Sequence, residues 1–169
     1  ENVIQCMAAH PDVLDNMHQG LKFIEALAAA EFDMNFLVDN GAVGAVLSGM
    51  QEHPGHAALQ RDATRALLFM GTDEVNVAAL VDNGTIEQIL QNMSAFADNP
   101  DVHHNTLFLI CSLALVEGNV EKLKASGCLT AVSSSLRLHP TDNEVRQGAR
   151  ETLQLVASQE DVQGFVVEL

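Results

Sequence analysis

The sequence predicts an all-α chain built as a stack of equal helical units, a solenoid, and three observations carry that expectation. Val38-Asp39-Asn40-Gly41 returns unchanged as Val81-Asp82-Asn83-Gly84, 43 residues later, and Lys124-Ala125-Ser126-Gly127 stands a further 43 residues on. A glycine at a fixed interval, each time between two apolar helical runs, marks a left-handed helix-ending position that other residues fill only at a cost. Second, apolar columns align at the same interval without a gap. They are Val3, Val46, Ile89 and Val132; Met7, Met50, Met93 and Leu136; Ile24, Leu67, Ile110 and Leu153; and Leu37, Leu80, Leu123 and Val166. Third, the corner His10-Pro11 recurs at His53-Pro54 and His139-Pro140. In such a chain each unit buries its core against its neighbours rather than around one centre. The expected division of the single array 1–169 is a partial unit over 1–30, units over about 31–73, 74–116 and 117–158, and a partial unit over 159–169.

Each element follows from local chemistry. Residues 1–9 carry the pattern of 44–52, so the chain is expected to begin inside a helix. His10-Pro11 turns it, and a long helix to about residue 29 follows, with Leu21, Phe23, Ile24 and Leu27 read as its inner side. A short helix near 33–39 is closed by Gly41, and the helix near 42–52 carries Val43, Val46, Leu47 and Met50 as one apolar stripe. The order then repeats: a corner at 53–56, a long helix near 57–70, a short one near 74–82, Gly84, and a helix near 85–96. Asn99-Pro100 supplies a cap and a first-position proline for 100–114, and Glu117-Gly118-Asn119 breaks that helix. After Gly127 come helices over 128–138 and, capped by Thr141-Asp142-Asn143, over about 143–157, with a last short one expected at 160–168. Both ends fall mid-unit, which reads as a piece of a longer array lacking polar terminal caps. Apolar residues at Val3, Ile4 and Met7, and at Val162, Val166 and Val167, are therefore expected to be uncovered and to promote self-association.

Composition narrows the function. The formal charge is −15, from 23 acidic and 8 basic residues, with no Trp and no Tyr. No nucleic-acid partner is expected, because phosphate binding needs a basic stripe and base stacking needs rings. No apolar run reaches the roughly 18 residues of a membrane span and no secretion signal is visible, so the expected compartment is the cytoplasm, or the nucleus, with no membrane partner. Cys6, Cys111 and Cys128 have unrelated spacings, suit neither a disulfide framework nor a zinc site, and read as buried apolar residues. His103-His104 and the pair His53 and His56 lack a third metal ligand at a workable spacing and read as corner or capping histidines. No phosphate loop, nucleophile elbow or paired carboxylate is evident, so neither a cofactor nor catalysis is expected.

A short helix, a glycine-closed turn, a second helix, a sharp corner and a long third helix together resemble the armadillo repeat, whereas HEAT units usually have two helices. Val38-Asp39-Asn40-Gly41-Ala42-Val43 and Val81-Asp82-Asn83-Gly84-Thr85-Ile86 resemble the junction of that family, and Glu144 to Leu153 resembles its third helix. The resemblance covers the whole chain. It implies a right-handed superhelix whose third helices line a concave groove for protein partners, and hence a non-catalytic interaction scaffold. Relatives that hold an extended peptide by its backbone offer an Asn near the end of the third helix and often a Trp one turn earlier. Here those positions hold Ala26, Phe69, Ser112 and Leu155, and Lys22, Arg65, Phe108 and Glu151. A regulator that docks on a folded partner suits that departure better than an importer of extended signals does.

One further turn up the groove helices stand His18, Arg61, His104 and Gln147. The candidate partner groove is therefore His18, Lys22, Arg61, Arg65, Phe69, His104, Phe108 and Ser112. Arginines beside phenylalanines point to an acidic segment carrying a large apolar side chain. In the competing reading, Arg61 and Arg65 pair with Asp15, Glu25 or Asp62 and the phenylalanines are packing between units. Two other functions remain open: a transport adaptor, and an enzyme of base-excision or lyase type on a helical-repeat scaffold. The acids available to an enzyme are Glu151 beside Arg150 and Asp62 beside Arg61.

Overall fold

The computed structural model describes residues 2–116 and 118–158, and every regular element among them is an α-helix. Helices α1 (Asn2–Ala9) and α2 (Leu14–Ala29) are followed by three sets, each with a short, a middle and a long member. These are α3 (Met34–Asp39), α4 (Ala42–Glu52) and α5 (Ala57–Met70); α6 (Glu74–Asp82), α7 (Thr85–Ala95) and α8 (Pro100–Ala114); and α9 (Asn119–Ala125), α10 (Cys128–Leu138) and α11 (Asn143–Val156). The long helices begin at 14, 57, 100 and 143, and α4, α7 and α10 at 42, 85 and 128, so both series keep the 43-residue spacing. The helix expected at 160–168 lies outside the described residues.

Local chemistry sets these boundaries. Gly41, Gly84 and Gly127 have φ of +82°, +84° and +84°, and each opens the next helix. A Cβ built at Gly41 meets nothing within 4 Å, so it is the backbone angle and not lack of room that selects glycine there. Gly41→Ala is expected to cost about 1–2 kcal/mol in urea denaturation, the penalty of a left-handed L-residue. Asp33, Asp73, Asn99 and Asp142 cap the helices they precede with side-chain oxygens, and His56 does the same through Nδ1, accepting from the Leu59 amide at 3.2 Å. Pro100 sits at the start of α8, where no amide hydrogen is missed.

The end of α2 departs from the glycine rule. Glu31 takes φ +53° while its amide donates to Ala28 O at 3.0 Å and the Phe32 amide reaches back to Leu27 O at 3.0 Å. This is a Schellman closure with a glutamate in the glycine place, and it lays Phe32 beside Leu27. Glu31→Gly is expected to stabilise the chain by up to about 1 kcal/mol, the relief of left-handed strain less the freedom glycine adds to the unfolded state.

Packing runs along the series. The long helices meet in order, α2 on α5, α5 on α8 and α8 on α11; the middle ones likewise, α1 on α4, α4 on α7 and α7 on α10; and α3 touches α6. The apolar columns form the core between the rows. Val46, Ile89 and Val132 are buried, as are Met7, Met50 and Met93, Ile24, Leu67 and Ile110, and Leu37, Leu80 and Leu123. Val3, Leu136 and Leu153, at the two ends of their columns, are half-exposed.

Three expectations need correcting. Ile4 and Met7 are buried, because α4 covers that side of α1. Phe23 is 36% exposed rather than on the inner side, since α5 packs against the other flank of α2. Of the cysteines only Cys128 is buried; Cys111 is half-buried and Cys6 is exposed. Val162, Val166 and Val167 lie outside the described residues.

Candidate functional site

The candidate groove residues sit on three consecutive long helices, and one surface depression brings several of them together. It has a volume of about 380 Å³ and is lined by Arg61, Arg65, Asp101, His104 and Asn105. The packing of α5 on α8 places two arginines of one helix opposite the first turn of the next, where Asp101 also benefits from the helix N-terminus.

Both arginines already have acidic neighbours. Arg61 lies 2.8 Å from Asp62 and 3.9 Å from Asp101, and Arg65 lies 2.8 Å from Glu25. His104 Nδ1 is 3.4 Å from the Glu144 carboxylate, a charge pair only when the ring is protonated, and its ring lies 4.8 Å from that of Phe108. The pairing with Glu25 and Asp62 follows the competing reading of the sequence. The contributions of Asp101 and Glu144 were not foreseen, although a signal existed. Arg65 with Glu25, Arg61 with Asp101 and His104 with Glu144 are each 40 residues apart, about one helical turn less than the period. Oppositely charged residues at that offset would have found all three.

The remaining candidates are dispersed. His18 is half-buried and meets the edge of His56 with ring centroids 5.3 Å apart. Lys22 is exposed, and Phe69 and Phe108 are half-buried. The Ser112 hydroxyl donates to Gly71 O at 2.9 Å, which ties α8 to the end of α5. None of the described Asp or Glu side chains is buried, and no cluster of three His, Cys, Asp or Glu suited to a metal occurs among the described residues. The histidines at the corners take structural roles, with His53 Nε2 3.0 Å from Pro11 O across two units. No helix of the described residues is long and apolar enough to cross a membrane.

Two features escaped the sequence reading. His103 is 1% exposed, its Nδ1 lies 2.7 Å from Ser135 Oγ, and its ring centroid lies 4.6 Å from that of His139. Burial, followed by the charge of His139, pushes it down to about 4, against the pull of the Met93 and Phe96 carbonyls. A polar clue was present, because the equivalent position one unit earlier is Gln60, equally buried, whose amide donates to Met50 O at 2.7 Å and His53 O at 2.9 Å. The second feature is a mainly apolar cavity of about 530 Å³ between α7 and α10, left open where α10 carries the small residues Ala131 and Ser134. Among known proteins, no family model, no curated protein and no solved structure matches this chain.

Proposed function

We propose that the chain is a non-catalytic protein-binding array of armadillo type, a right-handed superhelix of three-helix units whose row of long helices receives a partner protein. The observation that supports this most is the convergence of Arg61, Arg65 and His104, from two successive long helices, on one open depression. Phe108 stands beside it, in contact with His104. An acidic segment carrying a large apolar side chain fits that chemistry: its carboxylates take the guanidinium groups and its apolar group takes the phenylalanine. The resident ion pairs do not bar such a partner. The arginine side chains are 39% and 37% exposed, and surface pairs of this kind contribute about 0–1 kcal/mol, so exchanging Asp62 or Glu25 for a partner's carboxylate costs little. The enzyme alternative would need a carboxylate lifted out of water to shift its proton affinity, and the acids it relies on, Asp62 and Glu151, are both partly solvated.

The test is an affinity capture from cell extract, with wild type compared against Arg61→Glu combined with Arg65→Glu. Both positions are exposed enough to tolerate reversal, so circular dichroism should be unchanged. The expected result is loss of the captured partners; capture of the same set by the reversed protein would sink the groove reading.

A further inference from the structure

The junction between α7 and α10 differs from its sister junctions in what stands at its centre. Where α4 meets α7, positions 87, 88 and 91 carry the long side chains Glu87, Gln88 and Gln91, and Gln88 is buried with its amide reaching Asn92 Oδ1 at 3.3 Å. Their equivalents 43 residues on are Thr130, Ala131 and Ser134. Small residues alone do not leave room. Where α1 meets α4 the equivalents are Gly44, Ala45 and Ser48, and there Ala45 is 2% exposed. Between α7 and α10 no such closure has occurred: Ala131 is half-exposed, and the cavity of about 530 Å³ lies beside it.

Two imidazoles at this junction lack a hydrogen bond that their equivalents make. His103, 1% exposed, lines the cavity; its Nδ1 lies 2.7 Å from Ser135 Oγ, while its Nε2, also buried, makes no hydrogen bond. In the preceding unit Gln60 donates to Met50 O and His53 O from the same place. The ring of His103 leaves the corresponding Met93 and Phe96 carbonyls close by but off the line of a hydrogen bond. His139 meets His103 edge-on at 4.6 Å, and its Nε2 is buried without a partner too, although at the equivalent corner His53 Nε2 lies 3.0 Å from Pro11 O. A buried imidazole nitrogen without a partner carries an unrecovered cost of desolvation, which a hydrogen-bonding atom brought to it removes.

The lining selects the occupant. In a chain of net charge −15, no Asp, Glu, Lys or Arg lines this cavity. Its surface is mainly apolar, and Leu138, 47% exposed, extends it at the rim. His103 is pushed down to about 4, so at neutral pH its ring is uncharged and offers a carboxylate no counter-ion. The volume falls within the roughly 300–1,000 Å³ of small-molecule sites. We infer that the α7–α10 cavity binds a small uncharged molecule with an apolar body and one oxygen that accepts a hydrogen bond from His103. An acceptor is selected because the nearby Met93 and Phe96 carbonyls favour hydrogen on Nε2, which leaves Nδ1 to accept from the Ser135 hydroxyl. The cavity shares no lining residue with the groove depression around Arg61 and Arg65, so either site can fail without the other.

The probe is prodan, an uncharged naphthalene ketone whose emission moves to the blue when it leaves water; the chain has no Trp or Tyr to interfere. Saturable binding with a blue shift is expected, and in nitrogen NMR of the histidine rings the His103 Nε2 signal should move as prodan is added. Ala131→Gln places at this junction the side chain that is buried at the preceding one, and should weaken binding at least roughly tenfold with circular dichroism unchanged. Ser134→Gln, at a half-exposed position, should act in the same direction and keeps the test valid if Ala131→Gln unfolds. Anilinonaphthalene sulfonate, an anionic dye of similar size, is expected to bind at least roughly tenfold more weakly than prodan. Absence of any blue shift would mean that the cavity holds only water and would overturn the proposal. So would unchanged affinity in the folded variants, a His103 signal that stays in place at saturation, or binding of the sulfonate as tight as that of prodan.

Discussion

Lowering the pH from about 6.5 to about 4 is expected to remove about 3 kcal/mol of stability from this chain through a single side chain, His103. The ring is held neutral: it is 1% exposed, contacts the Ser135 hydroxyl at 2.7 Å and faces His139, and it is pushed down to about 4. An unfolded chain with an ordinary histidine takes up the proton in that window while the folded chain refuses it. Protons therefore favour unfolding between the two values. The stabilisation is complete above about 6.5, falls as the pH drops, and is gone below about 4. Acid also discharges many of the 23 Asp and Glu residues and so relieves general repulsion, which makes the raw pH profile ambiguous. His103→Gln removes the ambiguity, because Gln60 already fills the equivalent place one unit earlier and satisfies the equivalent carbonyls. The variant should lie within about 1 kcal/mol of wild type at neutral pH. The gap between the two urea-denaturation profiles should shift in favour of the variant as the pH falls, and parallel profiles would show that His103 is not the source.

The same side chain shows where sequence reading stops. The helix boundaries were legible because their causes are local: a glycine at positive φ, a proline at the first position of α8, and Asn99 or Asp142 as a cap act on neighbours a few residues away. The core columns were legible because burial at one position recurs at the next. What a column cannot tell is which of its members lacks a neighbour. Phe23 and Leu109 occupy one column, yet the first is 36% exposed and the second 0%. Cys6 and Ser135 share another, and only the second is buried. The acidic partners of Arg61 and Arg65, Asp101 and Glu25, lie 40 residues away on the adjoining helix, an offset that emerges only once α5 is laid on α2 and α8 on α5. His103 stands next to a corner in sequence, but its burial is that of its equivalent Gln60, 43 residues earlier.

A core truncation separates a stacked array from a closed globule. Leu67→Ala is expected to cost about 2–5 kcal/mol, since the side chain is 0% exposed and a cavity remains where its methyl groups stood. Leu153→Ala, in the same column but half-exposed, is expected to cost less, about 1–2 kcal/mol, because water and neighbouring side chains can fill part of the space. The distribution of the damage is more telling than its size. Leu67 belongs to α5, whose packing is with α2 and α4 on one side and α8 on the other, whereas α11 rests on α8, α9 and α10. In an array, stability is a sum of unit and junction terms, so opening that starts at Leu67 need not cross the α8 to α11 junction. Amide exchange in Leu67→Ala should therefore accelerate most in α4, α5 and α8 and least in α10 and α11. Uniform acceleration from α1 to α11 would mean that the helices share one cooperative core, and the proposed groove of stacked units would lose its basis.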